Sequence, residues 1–163
     1  MEINQKEQNA KLENIKSRLI LKKLFNHLKI KNSLGISKYN NKLKKIINLN
    51  INDYKEYSEK YSSIEIEIKP VINKYGKFIN IKNKEEIYYH IYFNNDKKEI
   101  KRNYLDDNDS VSKIKIIIDY QVKSFKELFY NCECIEYIYF KKFYRNNIDN
   151  MGGMFNGCCL LKD

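Results

Sequence analysis

The spacing of apolar residues changes near Ser63, and this change constrains the fold more than any other feature of the chain. Before it, apolar positions such as Leu12, Ile15 and Leu19 recur every three or four residues, as in amphipathic helices. After it, isoleucines alternate with charged residues over 64–68, as in a half-buried strand. The sequence therefore predicts an α+β chain in which helices come first and strands follow.

We divide the chain into three regions on this basis. They are a basic helical cap over 1–62, a β-rich hairpin and linker region over 63–111, and a region of repeats over 112–163. The cap is expected to hold helices over about 8–31, 33–48 and 52–61. Strands are expected over 64–69, 77–81, 87–93, 98–104 and 113–118, with 87–93 and 98–104 forming a hairpin.

Length and composition exclude several classes of protein. A chain of 163 residues corresponds to one domain, or to one domain with a small cap. No run approaches the roughly 18 consecutive apolar residues of a transmembrane helix, so we expect no membrane span. The polar residues 1–5 do not resemble a secretory signal. We therefore expect a cytoplasmic protein.

The formal net charge of +10 is concentrated in the predicted cap. Residues 1–60 carry 14 basic and 6 acidic side chains, a net +8, whereas residues 61–163 carry 17 and 15, a net +2. The candidate basic patch consists of Lys11, Lys16, Arg18, Lys22, Lys23, Lys42, Lys44 and Lys45. Such a patch suits nucleic acid, but only three of the 31 basic residues are arginine, the side chain that base and phosphate readout favours. Nucleic-acid binding is therefore an alternative rather than our first expectation.

The most specific motif is a repeat at an offset of 26 residues near the end of the chain. Residues 124–132 match residues 150–158, so that Phe129 corresponds to Phe155 and Cys132 to Cys158. A fixed period of this length is typical of stacked repeats, in which each unit buries its apolar side against its neighbour. The repeat-core residues are Phe125, Leu128, Phe129, Cys132, Ile135, Ile138, Met151, Met154, Phe155, Cys158 and Leu161.

The second copy, N-M-G-G-M-F-N-G-C-C-L-L over 150–161, resembles the N-M-x-x-M-F-x-G-C-x-x-L core of BspA-like leucine-rich repeats. The first copy is similar, although Asn131 stands where the family usually has glycine. The resemblance covers about residues 112–163. It implies a solenoid of short strands and helical turns that binds other macromolecules without catalysis.

Three expectations follow from this resemblance. The strand at 114–118 is expected to form an atypical first rung. The chain stops at Asp163, inside a repeat, which favours the N-terminal part of a longer solenoid or a truncated copy. Either would leave an open strand edge near 135–140, at which the chain could self-associate.

The remaining candidate sites have weaker signals. Cys132, Cys134, Cys158 and Cys159 form C-x-C and C-C pairs, which suit zinc poorly, so we interpret them chiefly as structural thiols. Neither a catalytic constellation nor a phosphate-binding loop is present, and we expect no enzyme activity, metal or cofactor. Residues 20–28 and the helix that follows faintly resemble an F-box, although the usual leading Leu-Pro and closing Cys-x-x-Trp are absent.

The sequence therefore favours a non-catalytic leucine-rich-repeat protein that binds a protein partner of unknown identity. The alternatives are a basic helical module that binds nucleic acid and an F-box-like adaptor of ubiquitin ligases.

Overall fold

The computed structural model describes residues 15–162, and the chain divides into two compact units, Met1–Tyr57 and Ser58–Asp163. The helices of the described residues are α1 (Arg18–Asn26), α2 (Ile30–Ser37), α3 (Asn41–Ile47), α4 (Ile51–Tyr61) and a 3-10 helix (Asn83–Tyr88). The strands are β1 (Ile64–Pro70), β2 (Gly76–Lys77), β3 (Tyr89–Phe93), β4 (Tyr104–Leu105), β5 (Ile114–Ile118) and β6 (Ile135–Lys142).

The first three helices are shorter than their apolar spacing predicts, whereas α4 matches the helix predicted over 52–61. The predicted helix over 8–31 is wrong in its bounds: residues 8–14 lie outside the described residues, and α1 ends at Asn26. It begins after Ser17, whose side-chain oxygen accepts a hydrogen bond from the Ile20 amide at 3.4 Å. Such a cap satisfies an amide of the first turn, which has no partner within the helix.

The predicted helix over 33–48 is in fact two helices, α2 and α3. The Asn40 side chain accepts a hydrogen bond from the Leu43 amide at 2.9 Å and so begins α3 as a new helix. Leu43 packs with Leu21 and Phe25 of α1 in a small apolar core.

A four-stranded antiparallel sheet in the order β3-β5-β1-β6 forms the centre of the second unit. Isoleucines on one face of β1 and β5 are fully buried and lie opposite one another, as in the Ile66–Ile116 pair. The other face carries charged side chains together with Ile117, for example Lys115 3.1 Å from Glu65. The period of two predicted from the sequence therefore corresponds to one buried and one solvated face.

The hairpin predicted between 87–93 and 98–104 is wrong. β3 pairs along its length with β5, which follows it by about 20 residues, and pairs with the intervening segment at a single isolated bridge between Ile91 and Ile100. The predicted strand over 77–81 shrinks to β2, which pairs with β4.

The prediction of a solenoid over 112–163 is also wrong, because the strands of this structure do not stack as the rungs of a solenoid. β5 and β6, predicted to be successive rungs, are not neighbours, because β1 lies between them and pairs antiparallel with both. A solenoid would instead require β5 and β6 to lie side by side and parallel. The isoleucines of β1 bury those of β5 along the whole strand. This long-range pairing of β1 with β5 forms in place of a stack of β5 on β6.

Phe129 and Phe155 differ in burial, so truncating them should have different consequences. Phe129 is fully buried, whereas 42% of Phe155 is exposed. We expect Phe129→Ala to lower the free energy of unfolding by about 3–5 kcal/mol. Phe155→Ala should cost clearly less, because water already covers much of its ring. Chemical denaturation of both variants measures this difference, and equal losses would contradict the burial described here.

Candidate functional site

Two turns with matching sequences lie side by side and parallel, and we call them the first turn (124–132) and the second turn (150–158). Amides at alternate residues of the first turn donate to carbonyl oxygens of the second. The bonds run from Phe125 to Asn150 (2.7 Å), Glu127 to Gly152 (3.0 Å), Phe129 to Met154 (2.9 Å) and Asn131 to Asn156 (2.9 Å). Ser124 and Asn150 form a parallel bridge at the start of this ladder.

The two turns share one backbone shape, including two left-handed positions each. Glu127 has φ 58° where Gly153 has φ 63°, and Asn131 has φ 54° where Gly157 has φ 79°. Glycine adopts this region without a steric cost, and asparagine tolerates it better than most residues. Asn131 therefore replaces the expected glycine without changing the path of the turn.

Side chains strengthen the contact between the turns. The rings of Phe129 and Phe155 are stacked, with centroids 5.8 Å apart and planes 4° from parallel. The Cys158 thiol donates to the Phe129 carbonyl oxygen at 2.9 Å. The second turn is thus held against the first by backbone, aromatic and thiol contacts.

The structure brings nine of the eleven predicted repeat-core residues to one apolar core and leaves two outside it. Phe125, Leu128, Phe129, Cys132, Ile135 and Met154 are buried, and Ile138, Cys158 and Leu161 pack against them. Met151 and Phe155 are exposed, at 44% and 42%. Both belong to the second turn, so its outer side is apolar and uncovered by the described residues.

The same outer side presents a row of backbone donors. The amides of Met151, Gly153, Phe155 and Gly157 have no acceptor among the described residues, and we call these four amides the donor edge. They are equivalent, at an offset of 26, to the first-turn amides that donate to the second turn. The carbonyls of the same four residues already accept bonds from amides at 154, 156, 158 and 159. This edge therefore offers donors without acceptors.

β6 is an edge strand next to the second turn. The Lys162 amide donates to the Glu136 carbonyl at 2.8 Å, again at an offset of 26 residues. The Glu136 carboxylate lies 2.6 Å from the Lys162 ammonium and 2.7 Å from that of Lys69, and these hydrogen bonds lower its pKa. The rest of the outer edge of β6 has no strand partner among residues 15–162.

Arg145, which the sequence patterns did not single out, fixes the segment that leads into the second turn. It is buried, and its guanidinium donates to the carbonyls of Asp119 and Val122 and to the Asn147 side chain. Burial lowers its pKa, but an arginine remains charged at neutral pH. The planar guanidinium group therefore donates hydrogen bonds to all three of these oxygen atoms at once.

Cys132 and Cys134 are buried in the apolar core, and Cys158 packs against it. Burial raises the pKa of Cys132 to about 12 and that of Cys134 to about 11, so both thiols are protonated at neutral pH. Cys159 is exposed. Among the described residues, no group of three His, Cys, Asp or Glu side chains could hold a metal ion.

His90 lies at the centre of a polar cluster on the solvated face of the sheet. Its Nδ1 atom lies 3.0 Å from Glu99 Oε1, and its Nε2 atom lies 3.6 Å from Asp119 Oδ2. The cluster has no cysteine, serine or threonine nucleophile in hydrogen-bond contact with the imidazole within the described chain. It is best explained as a set of polar contacts on the sheet surface, which includes the ion pair of Glu99 with Lys101.

The predicted basic patch is divided between two helices of the first unit. Lys16, Arg18, Lys22 and Lys23 lie at or on α1, and Lys42, Lys44 and Lys45 lie on α3, while Lys11 is outside the described residues. Lys44 places its ammonium 5.8 Å from the ring centroid of Tyr54.

No family model, curated protein or solved structure matches this chain. None of the helices within 15–162 is both long enough and apolar enough to cross a membrane.

The left-handed backbone at Gly157 provides a test of the second turn. A Cβ atom at Gly157 would lie 1.9 Å from Asn131 Oδ1, in addition to the strain of its φ of 79°. We expect Gly157→Ala to lower the free energy of unfolding by at least about 1–2 kcal/mol. Gly152→Ala is the matched control, because its Cβ would meet only the flexible Asn150 side chain, at 3.1 Å. Equal losses in the two variants would contradict the shape of the turn.

The burial of the thiols predicts their reactivity. In the native protein at pH 7.5, we expect iodoacetamide to label Cys159 and to leave Cys132 and Cys134 unmodified, since the latter are buried and protonated. Denaturant should expose all the thiols. Mass spectrometry of peptides from the labelled protein measures each site, and rapid native labelling of Cys132 would show that the core between the turns is open.

Proposed function

We propose that this chain is a non-catalytic interaction module that binds another polypeptide at the second turn. The observation that carries the proposal is the donor edge, where four amides at alternate residues lack acceptors beside the exposed Met151 and Phe155. Unpaired backbone groups beside apolar side chains are the features by which an extended peptide is captured at an edge.

The chemistry of the edge defines the kind of partner. A matching segment must present carbonyl oxygens at alternate residues, as the second turn does to the first. It must also carry an apolar or aromatic side chain to cover Phe155, as Phe155 covers Phe129. The same edge of a second copy would place amides against amides, so a different segment satisfies the donors better.

The resemblance to BspA-like repeats supports the same function. The residues that carry the resemblance are those of the second turn, and proteins of that family bind other macromolecules through such repeats. The proposal concerns the paired turns alone and requires no continuous stack of strands.

Photo-crosslinking tests the proposal in cells that express the protein naturally. With benzoylphenylalanine in place of Phe155, we expect a discrete crosslinked product to a second protein, because this ring lies on the binding edge. The same analogue at Ile72, which is 83% exposed in the same unit, is the matched control and should give no such product.

A disrupting variant makes this experiment specific. Met151→Lys places a charge beside Phe155 at an exposed position, so it should abolish the product without unfolding the chain. A product that survives Met151→Lys, or an equal product from position 72, would contradict the proposed surface. A product of twice the mass of the chain would show self-association instead.

A further inference from the structure

The outward side of α1 is apolar, although this helix already buries another side. Leu21 and Phe25, one turn apart, are buried in the core of the first unit. Leu19, Ile20 and Leu24 lie elsewhere around the helix and are 66%, 53% and 45% exposed. A helix that is apolar on more than one side normally has more than one apolar neighbour.

The apolar side chains continue past the end of the helix. Leu28 follows the end of α1 and Ile30 begins α2, and both are exposed. The exposed row from Leu19 to Ile30 thus crosses a helix end. A groove that accepts a helix reads apolar anchors at i, i+3, i+4 and i+7 of one continuous helix, which residues on both sides of a helix end do not offer.

The acidic and basic side chains of residues 15–52 are all of one sign. Residues 15–52 contain no aspartate or glutamate. They contain ten basic residues, namely Lys16, Arg18, Lys22, Lys23, Lys29, Lys31, Lys38, Lys42, Lys44 and Lys45. None of the ten forms an ion pair with a described residue. Because they are spread over α1, α2 and α3, a complementary partner must be negative over a similar extent.

Two extended partners carry such charge, nucleic acid and an anionic bilayer. Phosphate contacts require only the cations and leave exposed leucine and isoleucine in water. A bilayer takes the apolar side chains into the boundary between headgroups and acyl chains while basic side chains meet the lipid phosphates and carboxylates. The presence of Leu19, Ile20 and Leu24 among the cations therefore favours the bilayer.

We propose that α1 and the residues up to Ile30 form a peripheral docking surface for an anionic lipid bilayer. In this arrangement Leu19, Ile20 and Leu24 enter the interface, and Lys23, which lies one turn after Leu19, meets the headgroups. Binding of this kind rests on apolar burial and on charge together, so the loss of either weakens it.

Vesicle co-sedimentation of the full chain tests the proposal. We expect binding to vesicles of phosphatidylserine and phosphatidylcholine, little binding to pure phosphatidylcholine, and weaker binding as NaCl is raised. The double variant Ile20→Gln/Leu24→Gln should lower the partition coefficient by about tenfold or more, because two exposed aliphatic side chains no longer insert. Ile72→Gln, which changes an exposed isoleucine in the second unit, should bind like the unchanged protein.

The outcomes separate the possible partners. Absence of binding to the anionic vesicles would overturn the proposal. Binding that the double variant leaves unchanged would also overturn it, and retention of a single-stranded oligonucleotide by that variant would then assign the cations to nucleic acid. Circular dichroism checks that the double variant is folded, and if it is not, the single variant Leu24→Gln gives the same comparison.

Discussion

Six isoleucines on two neighbouring strands hold the second unit together. The pairs Ile64–Ile118, Ile66–Ile116 and Ile68–Ile114 are all fully buried and lie on one face of the sheet. A shift of either strand by one residue would turn its three isoleucines to the other face of the sheet, so their burial fixes the register. β3 and β6 then add to the two outer edges of this pair, and β6 follows directly from the first turn.

The sequence revealed elements whose cause is local and missed those whose cause is distant. The alternation over 64–68 predicted β1, and the spacing of apolar residues predicted helices before it. Helix bounds depended on single capping side chains such as Ser17 and Asn40, which apolar periodicity does not register. The pairing of β3 with β5 and the insertion of β1 beside β6 depend on which strands bury each other best, and no local pattern encodes that choice.

The repeat illustrates the same limit within the candidate site. Its period predicted that Phe129 and Phe155 belong to equivalent turns, and these rings lie stacked in the structure. It did not predict that the strands attached to those turns would join an antiparallel sheet. The buried Arg145, which ties the intervening segment to the carbonyls of Asp119 and Val122, had no sequence signal because a lone arginine is usually a surface residue.

The shape of the paired turns depends on conformation more than on residue identity. Glu127 and Asn131 occupy the left-handed region where the second turn has Gly153 and Gly157, so each turn directs its amides the same way. In the first turn these amides meet carbonyls, and in the second they form the donor edge. Salt has little effect on hydrogen bonds from neutral amides, whereas it strongly screens the attraction between the cations around α1 and an anionic partner. We therefore expect ionic strength to separate the two proposed surfaces, because a polypeptide held at the donor edge should stay bound at salt concentrations that release an anionic bilayer.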